Sequence, residues 1–182
     1  MMVAWRFPDA TVAGVEAQEV SAGMAHRSLR INGLADRCGV ELADMRAWPV
    51  APVEPFDLIT GTPHYFDTSN HTMSEATQRG PCRFVLRGGA EVYAAAGSRF
   101  VFCDAWPNIE ADLAAATEQG WWPERVVQVI PRAGKEPLIG LVSTVRSQVD
   151  CTRAQLTVRD REGRFTPEMT DVRRRMGFPV RG

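Results

Sequence analysis

Three groups of residues in this 182-residue chain have types and spacings that suit chemistry. The first is Thr62-Pro63-His64-Tyr65, which follows the apolar run Phe56-Asp57-Leu58-Ile59-Thr60-Gly61. It reads as a buried strand that stops at a rigid turn and displays an aromatic ring at its carboxyl end. In an open α/β sheet that edge is where ligands bind. The second group is a pair of acids, each ending a β-type run. Glu16 closes Val12-Ala13-Gly14-Val15, and Asp44 follows Gly39-Val40-Glu41-Leu42-Ala43. A carboxylate at a strand end can accept both hydroxyls of a ribose, although it also suits a solvent-facing turn. The third group is cationic. Arg79, Arg83 and Arg87 recur at spacing four in an acid-free run. On a helix they would share a face, but Gly80-Pro81 disfavours one. As a loop they would line the approach of a phosphate backbone.

The elements that must position these residues alternate along the chain. Ala4 to Phe7 predicts the end of a helix before Pro8, and Thr11 to Glu16 a strand. Glu19 to Ile31 has helical periodicity with Val20, Met24 and Leu29 as its apolar face, closed by Asn32-Gly33. Gly39 to Ala43 and Phe56 to Thr60 predict two more strands. Phe66 to Arg87 is a polar connection too long for a plain turn and suits a binding loop. Gly89 to Ala96 suggests a short helix, and Arg99 to Cys103 a buried strand. Asn108 is placed to N-cap a helix that runs to Gln119 and stops at Gly120. Glu124 to Ile130 and Leu138 to Val145 flank Pro131-Arg132-Ala133-Gly134-Lys135. That connection has no room for a crossover helix, so the pair must be antiparallel. Gln155 to Arg159 predicts a last strand, and Pro167 to Met176 a closing helix. Alternation of this kind argues for a parallel sheet covered by helices, an α/β fold in one domain spanning 1–182.

Bulk properties narrow the function classes. Hydrophobic residues make up 45% and charged residues 24%, the ordinary range for a soluble globular protein. No apolar run approaches the roughly 20 residues of a membrane span, and the start lacks the layout of a signal peptide. A cytoplasmic location with no membrane partner follows as the expectation. The four cysteines are widely spaced with no Cys-x-x-Cys pair, and the histidines lack ligand spacing, so no metal site is expected. Net charge is −1 but unevenly spread: residues 1–120 hold 15 acids and 9 bases, and residues 151–182 hold 4 acids and 8 arginines. Arginine forks suit phosphate. The tail therefore suits RNA, and Arg132 and Lys135 at the hairpin tip offer a further contact. The chain says nothing of oligomeric state.

The Phe-Asp-Leu-Ile strand with its Thr-Pro-His-Tyr turn resembles the Asn-Pro-Pro-Tyr loop of amino-group methyltransferases that use S-adenosylmethionine (SAM). The resemblance runs from Val12 to about Arg175 and is nearest to bacterial tRNA adenine-N6 methyltransferases. It implies a Rossmann-like fold, mostly parallel and ending in an antiparallel hairpin. It also implies SAM as cofactor, with Glu16 on its ribose and Asp44 on its adenine amine, where Arg46 completes an Asp-x-Arg pattern. Thr62, Pro63 and Tyr65 would then be catalytic, orienting an exocyclic amine and stacking on its ring. His64, Arg79 and Arg83 would contact substrate, most readily tRNA, and Asp57 would be structural, buried at the base of the strand. Two departures stand out. Thr62 replaces the asparagine and His64 the second proline. The family's first strand and its Asp-x-Gly-x-Gly turn are missing, as if the start lay inside the domain. The expectation is a methyltransferase shape lacking the first central strand, with weak or no SAM binding. A catalytically impaired RNA- or partner-binding module is the alternative. A protein-glutamine N5-methyltransferase is another, because that relative uses the same loop. A nucleotide-binding oxidoreductase would explain Glu16 but not Thr-Pro-His-Tyr.

Overall fold

A computed structural model describes residues 2–44, 54–62 and 93–179. They fall into two compact units, 2–44 in one and the remainder in the other. Pro63, His64, Tyr65, Arg79 and Arg83 lie outside the described residues, as do Arg46 and Arg87.

The first unit runs α1 (Met2–Arg6), β1 (Val12–Glu16), α2 (Glu19–Ile31) and β2 (Cys38–Leu42). β1 and β2 pair in parallel, with Val12 opposite Cys38 and Glu16 opposite Leu42. α2 begins and ends where its periodicity predicts. Asn32 closes it, its amide donating to Ser28 O at 2.8 Å, and Gly33 takes φ 64°, a conformation cheap only for glycine. The buried face differs from the expected one. Ala22 and Leu29 are buried, whereas Val20 is 75% and Met24 53% exposed. The helix is therefore turned so that Leu29 joins Ala4, Cys38, Val12, Leu34 and Val40 in a small core. His26 Nε2 bonds Val40 O at 2.7 Å and ties α2 to β2. Arg37 fastens the preceding segment, donating to Ala4 O at 2.8 Å and Ala10 O at 2.7 Å.

The second unit holds a five-stranded sheet in the order β3 (Phe56–Gly61), β4 (Ala94–Ala105), β6 (Ile139–Val145), β5 (Trp122–Ile130), β7 (Thr152–Thr157). β3 and β4 are parallel, β6 is antiparallel to both its neighbours, and β7 is parallel to β5. Four strands thus share one direction, and their carboxyl ends share one edge. A 3₁₀ turn (Trp106–Asn108) leads into α3 (Ile109–Glu118), and α4 (Pro167–Arg175) closes the chain. Phe100, Phe102, Ile109, Leu113, Trp121, Val126 and Val142 fill the core. The Phe100 ring stacks on Phe102 at 5.1 Å and meets the edge of Trp121 at 5.9 Å. Thr144 is fully buried and donates to Phe100 O at 3.0 Å, so its hydroxyl is satisfied where it must be.

The sheet corrects three expectations. Ala94–Ala96 belong to β4 rather than to a helix. The alanine run favours helix intrinsically, but pairing of Ala94 with Phe56 overrides so weak a preference. Strand β3 is only half-buried, and Asp57 is exposed rather than buried. The reason is position: β3 is the margin of its sheet, with no second strand partner among the described residues. Finally, Asn108 does not cap α3 with its side chain. The Trp106-Pro107-Asn108 turn faces it back toward β4, where its amide donates to Asp104 at 3.3 Å.

Candidate active site

Glu16 and Asp44 stand at the carboxyl edge of the same parallel pair. Glu16 is the last residue of β1, and its carbonyl accepts the Ala43 N–H at 3.0 Å, so pairing continues one step beyond β2. Its Oε1 accepts the Gln18 N–H at 2.9 Å at the entrance to α2. A backbone donor and the positive end of a helix hold the carboxylate in place. A carboxylate has about four acceptor sites, so this bond leaves capacity for the hydroxyls of a ligand. Asp44 lies two residues past the end of β2, half-exposed and engaged in interactions of its own. The sequence thus located two acids that the fold brings to one edge of one unit.

Thr62 stands at the corresponding edge of the other unit, immediately after β3. Its Oγ1 lies 3.7 Å from Sγ of Cys103 on β4. The contact follows from register: Gly61 pairs with Phe102, which sets the next residues side by side. Beyond Cys103 the chain is firmly anchored. Asp104 is 4% exposed, and its Oδ1 accepts both the Ala105 N–H at 2.5 Å and the Asn108 amide. Opposite it, Gly140 leaves room for Ile109 and Trp106 to close over the strand. Cys103 and Asp104 were not among the residues the sequence singled out, and Asn108 was singled out only as a helix cap. Only strand pairing brings Cys103 to Thr62, and no local signal marks pairing.

Away from that edge, near the middle of β4 and the start of β5, Arg99 bridges Glu124 at 2.8 Å, and Ser143 donates to the same carboxylate at 2.7 Å. The bond from Arg99, then that from Ser143, holds the Glu124 carboxyl below its usual range. These groups lace three strands together and stand apart from Thr62. Among the described residues no group of three or more His, Cys, Asp or Glu could hold a metal ion, and no helix is long and apolar enough to cross a membrane.

No family model matches the chain. Curated proteins do. A tRNA1(Val) (adenine(37)-N6)-methyltransferase of Cronobacter sakazakii is 27% identical over 173 residues, 92% of this chain and 71% of that protein. The protein of the same name in Yersinia pestis is 26% identical over 94% of this chain and 72% of its own length. Among solved structures, a predicted O-methyltransferase of Agrobacterium tumefaciens superposes over 100% of this chain and 85% of its own, with TM-score 0.77 and 21% identity. A geranyl diphosphate C-methyltransferase of Streptomyces coelicolor, solved with S-adenosyl-L-homocysteine, covers 80% of this chain and 66% of its own at TM-score 0.55 and 13% identity. The chain is thus similar in sequence to tRNA adenine-N6 methyltransferases and shares its fold with solved methyltransferases. Its Rossmann-like fold is the one the elements predict. Within the chain, β1–β2 and β3–β7 form separate sheets, and β1 and β3 each have one strand partner among the described residues.

Proposed function

We propose that the protein methylates the exocyclic amino group of an adenine in RNA, most specifically in tRNA. The observation that carries this reading is the placement of Glu16 and Asp44 at one carboxyl edge and of Thr62 at the carboxyl end of β3, in a chain whose relatives are named tRNA adenine-N6 methyltransferases. SAM, when bound, supplies an electrophilic methyl group on a sulfonium. Glu16 would accept the ribose hydroxyls and Asp44 the adenine amine of the cofactor. The donor set fits, since both are acids and Glu16 is already preorganised by Gln18.

At the substrate side, Thr62 and the carbonyl following it would accept the two hydrogens of the target amine, so that its lone pair faces the methyl group. Tyr65 would stack on the target base, and Pro63 would stiffen the turn. No strong base is required, because positioning supplies most of the rate. A target base in a helical stack must leave it to be reached. Threonine offers one hydroxyl where a carboxamide oxygen stands in the resembled loop, a weaker and differently placed acceptor. His64, Arg79 and Arg83 are proposed to line the substrate approach.

The test is transfer of a labelled methyl group from SAM to bulk tRNA, followed by nucleoside analysis. Label in N6-methyladenosine is the expected result. Label found instead in a glutamine side chain would overturn it in favour of the protein substrate. A second reading has its own support. The chain has no Asp-x-Gly-x-Gly turn, so it could act as an RNA-binding module with impaired catalysis. Calorimetric titration with S-adenosylhomocysteine decides between the two, because micromolar binding excludes the impaired module.

A further inference from the structure

We propose that the β5–β6 turn, the loop after β7 and α4 form a binding surface for single-stranded RNA, built from cations with no carboxylate partner among the described residues and interleaved with aromatic rings. The inference rests on the RNA reading above and adds the residues and the chemistry of contact. Backbone bonds bring the three segments together at the carboxyl edge of the sheet. Val158 N–H donates to Ile130 O at 2.8 Å, and Ala133 N–H donates to Arg159 O at 2.8 Å. Thr166 Oγ1 donates to Thr157 O at 2.6 Å and accepts the Met169 N–H at 3.2 Å, which fixes the start of α4.

On this frame the cations and rings form a ladder. The Arg159 guanidinium lies 4.2 Å from the centre of the Phe165 ring, and that of Arg173 lies 4.5 Å from the same ring and 5.3 Å from Phe178. Arg132 reaches the same loop, close to Gly163. Charge is not balanced within the surface. Asp160 and Glu162 are taken by Arg164, and Asp171 by Arg174 and Arg175. Arg132, Lys135, Arg159, Arg161 and Arg173 have no carboxylate partner among the described residues. Glu136 and Glu168 are the remaining acids of these segments.

An acidic peptide would satisfy the charges but leave the rings unused. Single-stranded RNA uses both, with phosphates on the arginines and an unstacked base on the 45%-exposed Phe178. Geometry agrees with this choice. β7 lies four strand positions from β3 in the same sheet. Strands spaced about 4.8 Å apart put the ladder roughly 19 Å along the edge from Thr62. A strand with one base at Thr62 would lay its neighbouring phosphates there.

The experiment is fluorescence anisotropy with a labelled 12-nucleotide single-stranded RNA, titrated from about 50 to 200 mM salt. A triple variant, Arg132→Ala with Lys135→Ala and Arg161→Ala, removes three exposed cations that hold no carboxylate partner among the described residues. Each phosphate contact on a single strand contributes about 0.7 to the salt slope, so the slope should fall by about 2. Phe178→Ala should weaken binding roughly tenfold with the slope unchanged. An unchanged slope in the triple variant overturns the proposal, as does competition by poly-glutamate equal to that by RNA. S-adenosylhomocysteine titration of the same variants separates the two readings. RNA binding without cofactor binding sinks the methyltransferase proposal and leaves this surface standing; cofactor binding with no RNA affinity does the reverse.

Discussion

Gly140→Ala is the sharpest test of how the end of β4 is held. A Cβ at this position would stand 2.5 Å from Cγ1 and 2.6 Å from Cδ1 of Ile109, and 3.4 Å from the Trp106 ring. Carbon atoms pack at about 3.5–4.0 Å, so each Ile109 contact overlaps by roughly 1 Å. Ile109 is 1% exposed and has nowhere to retreat without moving α3. Overpacking of this kind costs about 1–3 kcal/mol. An opposing term exists, because Gly140 does not have positive φ and alanine would restrict the unfolded chain. That contributes about 0.4–1 kcal/mol of stability. The clash wins, and the net loss should be about 1–2 kcal/mol. For a chain of this size that lowers the melting temperature by roughly 2–8 °C. Thermal and urea unfolding would measure it. A double-mutant cycle with Ile109→Ala isolates the cause. With Ile109 trimmed, Gly140→Ala should become neutral or stabilising, a coupling of at least about 1 kcal/mol. A single variant as stable as the parent, or costs that simply add, would refute the reasoning.

Other perturbations test other parts. Arg146 lies 4.9 Å from the centre of the Trp121 ring and donates to Gln119 O at 2.9 Å. Arg146→Ala should cost about 1–2 kcal/mol in urea denaturation, and a change under about 0.3 kcal/mol would show the pair to be idle. The Glu124 carboxyl is held below its ordinary value of 4.5, chiefly by the bond from Arg99. A group so depressed stabilises the fold above its unfolded pKa and loses that contribution as pH falls through the folded one. Stability should therefore drop below about pH 4.5, and Glu124→Gln should flatten that part of the profile; an identical profile would rule the cause out. Thr62→Asn should raise amine methylation in an active preparation, whereas an unchanged rate would count against the proposed role.

What could be read from the sequence followed the range of the forces involved. β1, α2, β5 and β6 were legible because periodicity, the Asn32-Gly33 stop and the short Pro131–Lys135 connection are local signals. Glu16 and Asp44 were legible for the same reason, each being an acid at the end of an apolar run. The start of β4 was not, because Ala94–Ala96 prefer a helix until Phe56 pairs with them. Nor was the buried face of α2, since Leu29, Cys38 and Ala4 meet only in three dimensions. Cys103 beside Thr62 depends on the register of β3 against β4, which no window of sequence contains. The cation ladder was half legible. Composition pointed to the arginines, but not to the rings of Phe165 and Phe178 set among them.

The marginal position of β3 has a last consequence. A strand with no second partner among the described residues offers a row of backbone donors and acceptors that any extended peptide can adopt, a copy of this chain included. Asp57 sits on that strand with its charge in water. An acid there would act as a solubility gatekeeper, since a neighbour docking in register would have to desolvate a carboxylate. Asp57→Asn should lower the concentration at which the protein stays monodisperse in light scattering, without lowering its melting temperature.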